Sequence, residues 1–166
     1  QKKGKMWQKE AGILLSVTKH NDKFSIIHIF SREQGYTSYM FYLAKNGKGV
    51  AKNALLQPLT KIEYESKGAT QGKPLQHLSQ IRNRAPYNSI PFNPVKRAIA
   101  LYLSEFLTYA LKNEENNIPL YVAIEDALEW FDNAEQYSNF HLLTMILVAR
   151  HLGIMPACDS YTQGYF

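Results

Sequence analysis

The chain has 166 residues, of which 45% are hydrophobic, and it carries a formal net charge of +5. This composition excludes a disordered chain and is typical of one large globular domain or two small ones. The single cysteine, Cys158, excludes an internal disulfide and a cysteine-rich zinc site, and no apolar run reaches the roughly 18–20 residues of a membrane-spanning helix.

The first half of the chain has the alternating, β-branched and aromatic-rich pattern of strands separated by short polar turns. Five strands are predicted, at residues 10–19, 24–32, 36–44, 55–66 and 75–84. Pro58 indicates an edge or a bulge in the fourth strand. Five short strands predict a small closed barrel, and the OB-fold is the five-stranded barrel that commonly binds nucleic acid.

After residue 93, the apolar residues recur with the spacing of an α-helix. Asn93 is the predicted N-cap and Pro94 the first helical residue. The first helix has its predicted core-facing stripe at Ala98, Ile99, Tyr102, Phe106 and Ala110. The second helix opens at Pro119, with its predicted stripe at Ala123, Ile124, Ala127, Leu128 and Phe131. A third helix is predicted at residues 140–152, and it ends at Gly153.

These elements predict an α+β chain in which a five-stranded OB-fold β-barrel is followed by an α-helical domain. We expect the nucleic-acid-binding domain at residues 6–85, a linker at residues 86–92 and the helical domain at residues 93–166. We also expect the helical domain to be incomplete at its C-terminus, because no closing element follows residue 159.

The charges divide at the same place. Residues 1–85 hold fifteen Lys or Arg and five acids, a balance of +10, whereas residues 86–166 hold four cations and nine acids, a balance of −5. Such an asymmetry indicates a first half that binds a polyanion and a second half with another role.

The sequence offers little for catalysis, and we predict no enzyme, no metal site and no cofactor. The five histidines have no metal-binding spacing, and no phosphate-binding or nucleophile motif is present. The acidic face formed by Glu125, Asp126, Glu129 and Asp132 on the second helix is predicted to be solvated, with a partner-docking surface as the alternative.

Nucleic acid is the predicted ligand of the basic half, since flexible cations release counterions when they contact phosphates. The candidate cations are Lys19, Lys23, Arg32, Lys45, Lys48, Lys52, Lys73, Arg82 and Arg84. The candidate base-stacking rings are Tyr36, Tyr39 and Tyr42. Alternation puts Tyr36 and Tyr42 on one face and Tyr39 on the other, and it leaves open which face is outside. We expect the cations to gather on one side of the barrel as a track for a phosphate chain.

Several segments in this order resemble the bacterial recombination mediator RecO family. EAGILLSVTKHNDKFSIIHIFSREQGYTSYMFYLAK resembles its first three strands and ALLQPLTKIEYE its fourth. SIPFNPVKRAIALYLSEFL is similar to its linker and first long helix, and NFHLLTMILVARHLGIMP to a later helix. The match spans residues 6–166, although family members continue further and some carry a zinc finger for which only Cys158 is present here.

The resemblance implies single- and double-stranded DNA binding, strand annealing and loading of recombinase onto strands coated by single-stranded-DNA-binding protein. It implies RecR and the C-terminal tail of that binding protein as partners, and a cytoplasmic, nucleoid-associated location, which the lone thiol also fits. By the match, Arg32, Lys45, Lys48 and Lys52 are DNA contacts. The tail is apolar and acidic, so its candidate contacts are the cations of the helical half, Lys96, Arg97, Lys112 and Arg150.

Two other classes of function stay open. A barrel-plus-helix adaptor that binds only protein would need the same fold without a DNA-binding surface. A nuclease or other hydrolase would need a metal site assembled across the fold. A helix-turn-helix regulator is disfavoured because the helices form the acidic half. The sequence also leaves the strand preference, the oligomeric state and the partner pocket open.

Overall fold

The computed structural model of the chain describes residues 7–21, 23–42, 56–66, 75–78 and 80–155. It confirms the predicted architecture of five strands followed by three helices. The strands are β1 (Gln8–Lys19), β2 (Phe24–Ser31), β3 (Gly35–Tyr42), β4 (Lys61–Ser66) and β5 (Gln80–Asn83). The helices are α1 (Pro94–Ala110), α2 (Ile118–Asn133) and α3 (Phe140–His151).

The strands form one antiparallel sheet in the order β3-β2-β1-β4-β5. The open edge of β3 is met by the segment that precedes β5. There, Met40 N–H donates to the carbonyl of Gln76 and Leu78 N–H donates to the carbonyl of Met40, both at 2.9 Å. This parallel bridge between Met40 and His77 closes the sheet into a barrel.

Strand β1 is buried on both of its faces. Its register with β2 shifts between Leu14 and Ser16, as in a β-bulge. Because side chains alternate along a strand, Leu14 points into the barrel interior, whereas Ile13 and Leu15 point outwards into the core shared with the helices. Strand β1 therefore contributes to two hydrophobic cores.

The barrel interior surrounds one buried carboxylate. Glu10 is 7% exposed and accepts hydrogen bonds from Ser66 Oγ at 2.8 Å and Tyr64 OH at 3.1 Å. The apolar residues of this interior are Leu14, Ile27, Ile29, Tyr39, Phe41, Ile62, Tyr64, Leu78 and Ile81. Because buried polar groups are stable only when they are hydrogen-bonded, we interpret Glu10 as a structural residue of the core.

The fourth and fifth strands are shorter than predicted. The prediction started the fourth strand at residue 55, but Pro58 and Leu59 form a turn and β4 begins at Lys61. Leu59 has a positive φ of 61° and is held by the bond from its N–H to the Leu14 carbonyl at 2.8 Å. The fifth strand was expected over residues 75–84, but only Gln80–Asn83 pairs with β4, because residues 76–78 pair with β3 instead.

Helix α1 begins as predicted, with Asn93 Oδ1 accepting the N–H groups of Val95 at 2.9 Å and Lys96 at 3.1 Å. The predicted stripe of this helix is only partly right, because Ile99, Phe106 and Ala110 pack against the core without being fully buried. The helix buries Lys96, Ala100, Leu103, Ser104 and Leu107, whereas Tyr102 of the predicted stripe is 50% exposed. Apolar residues surround most of this helix, so periodicity alone placed the stripe to one side of the buried face.

The predictions for the other two helices agree better with the structure. In α2, the predicted residues Ile124, Leu128 and Phe131 are buried, and the helix begins one residue earlier than predicted. Helix α3 begins at Phe140 as predicted. It ends before Gly153, which has a positive φ of 69°.

Asp132 at the end of α2 fixes the segment that joins the barrel to the helices. Its carboxylate accepts the N–H groups of Asn88, Ser89 and Ile90 at 2.7–2.9 Å. Lys96 Nζ donates to Ser89 Oγ at 2.8 Å and to the Asp132 carbonyl at 2.9 Å. Lys96 is only 3% exposed, so its predicted role as a partner contact is wrong: its ammonium group is a buried structural donor.

Gly35 is required where β3 contacts the connection between α1 and α2. Its φ is +72°, and an added Cβ would overlap the carbonyl groups of Glu114 and Glu115. We expect Gly35→Ala to lower the free energy of unfolding by about 3 kcal/mol, the sum of a left-handed backbone and an overpacked contact. Gly153 has φ +69° but open space around it, so Gly153→Ala should cost only about 1 kcal/mol. Urea denaturation of both variants measures the difference, and equal losses would contradict the steric argument.

Stability should depend on pH through Asp132. Burial alone would raise the pKa of this carboxyl, but the N–H groups of Asn88, Ile90 and Ser89 lower it below its ordinary value. A lowered folded pKa stabilises the fold above the unfolded pKa of about 3.9, and this contribution is lost as the pH falls through the folded pKa. We expect Asp132→Asn to be destabilised at pH 7 and to approach the parent near pH 3. Urea unfolding at both pH values tests this, with the exposed Asp126→Asn as control; an equal deficit at both would contradict it.

Candidate nucleic-acid interface

The three candidate tyrosines of β3 divide between the two faces of the sheet. Tyr39 has no exposed surface, packs on Tyr64 with ring centroids 5.6 Å apart and donates to Ser66 Oγ at 3.3 Å. Its predicted role in base stacking is therefore wrong, because the ring lies in the barrel core. Tyr36 and Tyr42 lie on the outer face, where Tyr42 is 55% exposed and Tyr36 is half-buried.

The middle of this outer face is polar and uncharged. His28 Nδ1 lies 2.8 Å from Ser38 Oγ and 3.0 Å from Tyr36 OH, and its ring stacks on Tyr36 at a centroid distance of 5.7 Å. Burial, and to a lesser extent the positive charge of Lys112, lowers the pKa of His28. The imidazole is therefore neutral at pH 7. Burial also raises the pKa of the Tyr36 hydroxyl.

Three aromatic rings meet at the far end of the same face. The Phe24 ring centroid lies 5.5 Å from that of Tyr42, with an interplanar angle of 72°. It also lies 5.5 Å from the His77 ring at 59°. We call Phe24, Tyr42 and His77 the ring cluster. Since Tyr42 is six residues beyond Tyr36 in β3, the ring cluster lies about 20 Å along the strand from Tyr36.

Phe24 and His77 were missed by the sequence analysis. Their rings approach Tyr42 only through strand pairing, because Phe24 faces Tyr42 across the β2–β3 hairpin and His77 is held opposite Met40. The position of the turn after Ser31 fixes the hairpin register, so it was the signal that would have found Phe24. The parallel bridge to His77 has no local sequence signal.

The described cations of the barrel do not form one track on one side. Lys23 precedes β2 and Arg32 follows it, so nine steps along an extended strand separate them by about 30 Å. Lys19 is the last residue of β1 and lies at the same end as Lys23. Arg32 Nε lies 3.9 Å from Glu33 Oε1. The candidates Lys45, Lys48, Lys52 and Lys73 lie outside the described residues.

Other cations of the barrel are already paired with carboxylates. Lys61 is 4% exposed, and its Nζ lies 2.5 Å from Glu129 Oε2. Arg84 forms an ion pair with Glu125. The prediction of a solvated acidic face on α2 is therefore wrong for Glu125, whose side chain is 20% exposed, and for the buried Asp132. Glu129 contacts Lys61 but keeps a side chain that is 63% exposed.

Arg82, the remaining candidate of β5, forms an ion pair with a carboxylate of the neighbouring strand. Its guanidinium contacts Glu63, which lies on β4 directly opposite in the strand register. Arg82 and Arg84 were both predicted as DNA contacts. The structure places both of them in ion pairs, away from the ring cluster.

The three remaining cations of the helical half are exposed and lie beside different clefts. Arg97 lines a cleft with Pro58, Tyr87 and Phe92. Lys112 lines a polar cleft together with Tyr36. Arg150 lies one helical turn beyond Leu147, which lines an apolar groove between α2 and α3. The structure does not bring these cations together.

Neither a metal centre nor a membrane span is found in the described parts of the chain. No three His, Cys, Asp or Glu side chains of these parts come together as possible metal ligands. None of the described helices is both long enough and apolar enough to cross a bilayer.

Comparison with known proteins gives matches over both halves of the chain. The family model described as "Recombination protein O N terminal" matches residues 6–87, and that described as "Recombination protein O C terminal" matches residues 91–162. The chain is 34% identical over 165 residues to the DNA repair protein RecO of Phocaeicola vulgatus, covering 97% of this chain and 67% of that protein. It is 35% identical to the DNA repair protein RecO of Bacteroides fragilis, with the same coverage of 97% and 67%, and 33% identical to that of Flavobacterium johnsoniae, with 95% and 67%.

Proposed function

Because the chain belongs to the recombination protein O family, which has a role in DNA repair and recombination, we propose that it is a non-enzymatic, DNA-binding recombination mediator. In this proposal it anneals complementary strands and helps to load recombinase onto DNA coated by single-stranded-DNA-binding protein. Residues 6–85 bind the DNA, residues 86–92 are the linker, and residues 93–166 present surfaces to protein partners. The protein acts in the cytoplasm, associated with the nucleoid.

The observation that carries this proposal is the difference between the two ends of the barrel. At the end that faces α2, the cations Lys61 and Arg84 are paired with carboxylates. At the other end, Lys19 and Lys23 lie beside exposed aromatic rings on the outer face of β2 and β3. The corresponding face of OB-folds binds oligonucleotides.

Four more lysines lie close in sequence to the residues of the ring cluster. Lys45 follows Tyr42 by three residues, with Lys48 and Lys52 beyond it, and Lys73 precedes His77 by four. At no more than about 3.6 Å per residue, Lys45 and Lys73 are each tethered within roughly 15 Å of the ring cluster. We propose these four lysines as phosphate contacts together with Lys19, Lys23 and Arg32. Arg82 and Arg84 are left out because their guanidinium groups already have carboxylate partners.

The proposed protein partners are RecR and the acidic C-terminal tail of single-stranded-DNA-binding protein. An apolar, acidic peptide requires an apolar surface with a cation at its rim. Arg97 and Arg150 each meet this requirement, since each is exposed and lies beside an apolar cleft. Lys112 is a weaker candidate, because its cleft also contains Glu33, Glu114 and Glu115.

An adaptor that binds protein but no DNA is the second candidate function. It is favoured by a groove of about 460 Å³ between α1 and α3, whose lining is almost entirely apolar. The groove is lined by Phe106, Ala110, Met145, Ile146, Val148, Ala149, Leu152, Ile154 and Met155. Exposed apolar surfaces of this kind mark sites of protein interaction.

Changing Lys45, Lys48 and Lys52 together to alanine should weaken DNA binding several-fold at moderate salt. The slope of log K against log salt concentration should also fall, by about 2 for single strands and nearly 3 for duplex, because each lost phosphate contact releases fewer counterions. Fluorescence anisotropy with labelled single- and double-stranded oligonucleotides across a salt series measures both quantities.

The matched control removes the same charge elsewhere, by changing the exposed Lys9, Arg97 and Arg150 to alanine. It should bind DNA nearly as the parent does. An equal loss in both triple variants would reject the assigned contacts in favour of a general charge effect. A parent protein that binds no DNA at low salt would support the adaptor, and metal-dependent cleavage of the oligonucleotide would support a hydrolase.

A further inference from the structure

The ring cluster is held in place by three separate segments of the barrel. Phe24 is the first residue of β2, Tyr42 is the last residue of β3, and His77 lies in the segment that closes the barrel against β3. Two ring contacts with centroids 5.5 Å apart join them. Their arrangement therefore follows from the strand pairing of the barrel and is present in the structure without a ligand.

The barrel does not use these rings as core residues. Tyr42 is 55% exposed, His77 is exposed and Phe24 is half-buried. None of the three belongs to either hydrophobic core of the described chain. The edge-to-face contact between Phe24 and Tyr42 cannot cover both faces of the Tyr42 ring, since more than half of that residue is accessible to water.

The charge around the ring cluster is positive. Lys19 and Lys23 lie at the β1–β2 turn, whose one acid in the sequence is Asp22. The other carboxylates of the barrel, Glu10, Glu33, Glu63 and Glu65, lie towards its opposite end, because β4 pairs only with residues 8–13 of β1 and Glu33 follows β2. Exposed rings beside cations fit a ligand that has both aromatic faces and negative charges.

Resting on the DNA binding proposed above, we infer that the ring cluster is a stacking subsite for unpaired nucleobases of single-stranded DNA. One base stacks on the open face of Tyr42, and the imidazole of His77, which also contacts Phe24, offers a second ring for the next base. The lysines of the β1–β2 turn contact the phosphates that flank these bases. No side chain of the cluster selects one base by a set of hydrogen bonds, so the subsite tolerates any sequence.

The same geometry discriminates against duplex DNA. The faces of paired bases are covered by their neighbours in the stack, so a ring fixed on a rigid sheet cannot reach them unless base steps are opened. Duplex DNA then contacts only the cations of this surface. The ring cluster should therefore add affinity for single strands alone.

The test compares Tyr42→Ala and His77→Ala with the parent for binding to oligothymidine and to a duplex of the same length. Each variant should lose about fivefold or more in single-strand affinity and less than twofold in duplex affinity. The salt dependence should stay unchanged, because no cation is removed. Oligonucleotides that contain 2-aminopurine should show fluorescence quenching with the parent and less with Tyr42→Ala.

Two control variants distinguish the loss of a stacking ring from a loss of folding. Tyr42→Phe retains the ring and should bind as the parent does, and Tyr109→Ala removes a ring that is 81% exposed on α1 and should have no effect. Equal weakening of single-strand and duplex binding by Tyr42→Ala would overturn the stacking subsite. So would parent-like, salt-dependent binding of both strand types by Tyr42→Ala and His77→Ala, whereas a parent that binds no DNA would instead reject the proposed function itself.

Discussion

The helices pack on one half of the outer face of the sheet, and this packing determines which residues of that face remain exposed to solvent. Ile13 and Leu15 of β1 point towards the helices, where they join Phe30 of β2 and Tyr121 of α2 in one core. A barrel residue on this half cannot reach a ligand. The other half of the same face is not covered by the helices to the same extent, and His28 there is only partly buried.

The same packing pairs some cations of the first half of the chain with carboxylates of the second half. A balance of +10 in the first half of the chain suggests a strongly basic surface, but Lys61 and Arg84 meet Glu129 and Glu125 of α2. An ion pair formed inside the molecule is not available to a phosphate chain. The charge of the first half therefore overstates its basic surface, because part of it is neutralised by carboxylates of α2.

Local patterns predicted the elements, whereas the identity of the exposed faces depended on tertiary contacts. Alternation in β3 correctly separated Tyr39 from Tyr42, because side chains of a strand alternate, but it contains no information about which face a helix covers. In α1, the exposed Tyr102 and the buried Leu103 are consecutive residues about 100° apart around the helix, so apolar residues occupy more than one face and the helical period did not identify the buried one. The ring of His77 reached its neighbours through a bridge between segments 37 residues apart, which no short window of sequence encodes.

The fold separates the exposed aromatic rings of the barrel from the apolar grooves of the helical half. The ring cluster lies on β2, β3 and the barrel-closing segment, while the apolar grooves lie between helices. The connection between these two parts is held firmly, since Asp132 and Lys96 bind the linker through buried hydrogen bonds. In the proposed function, DNA on the ring cluster therefore leaves the grooves between the helices uncovered for a protein partner.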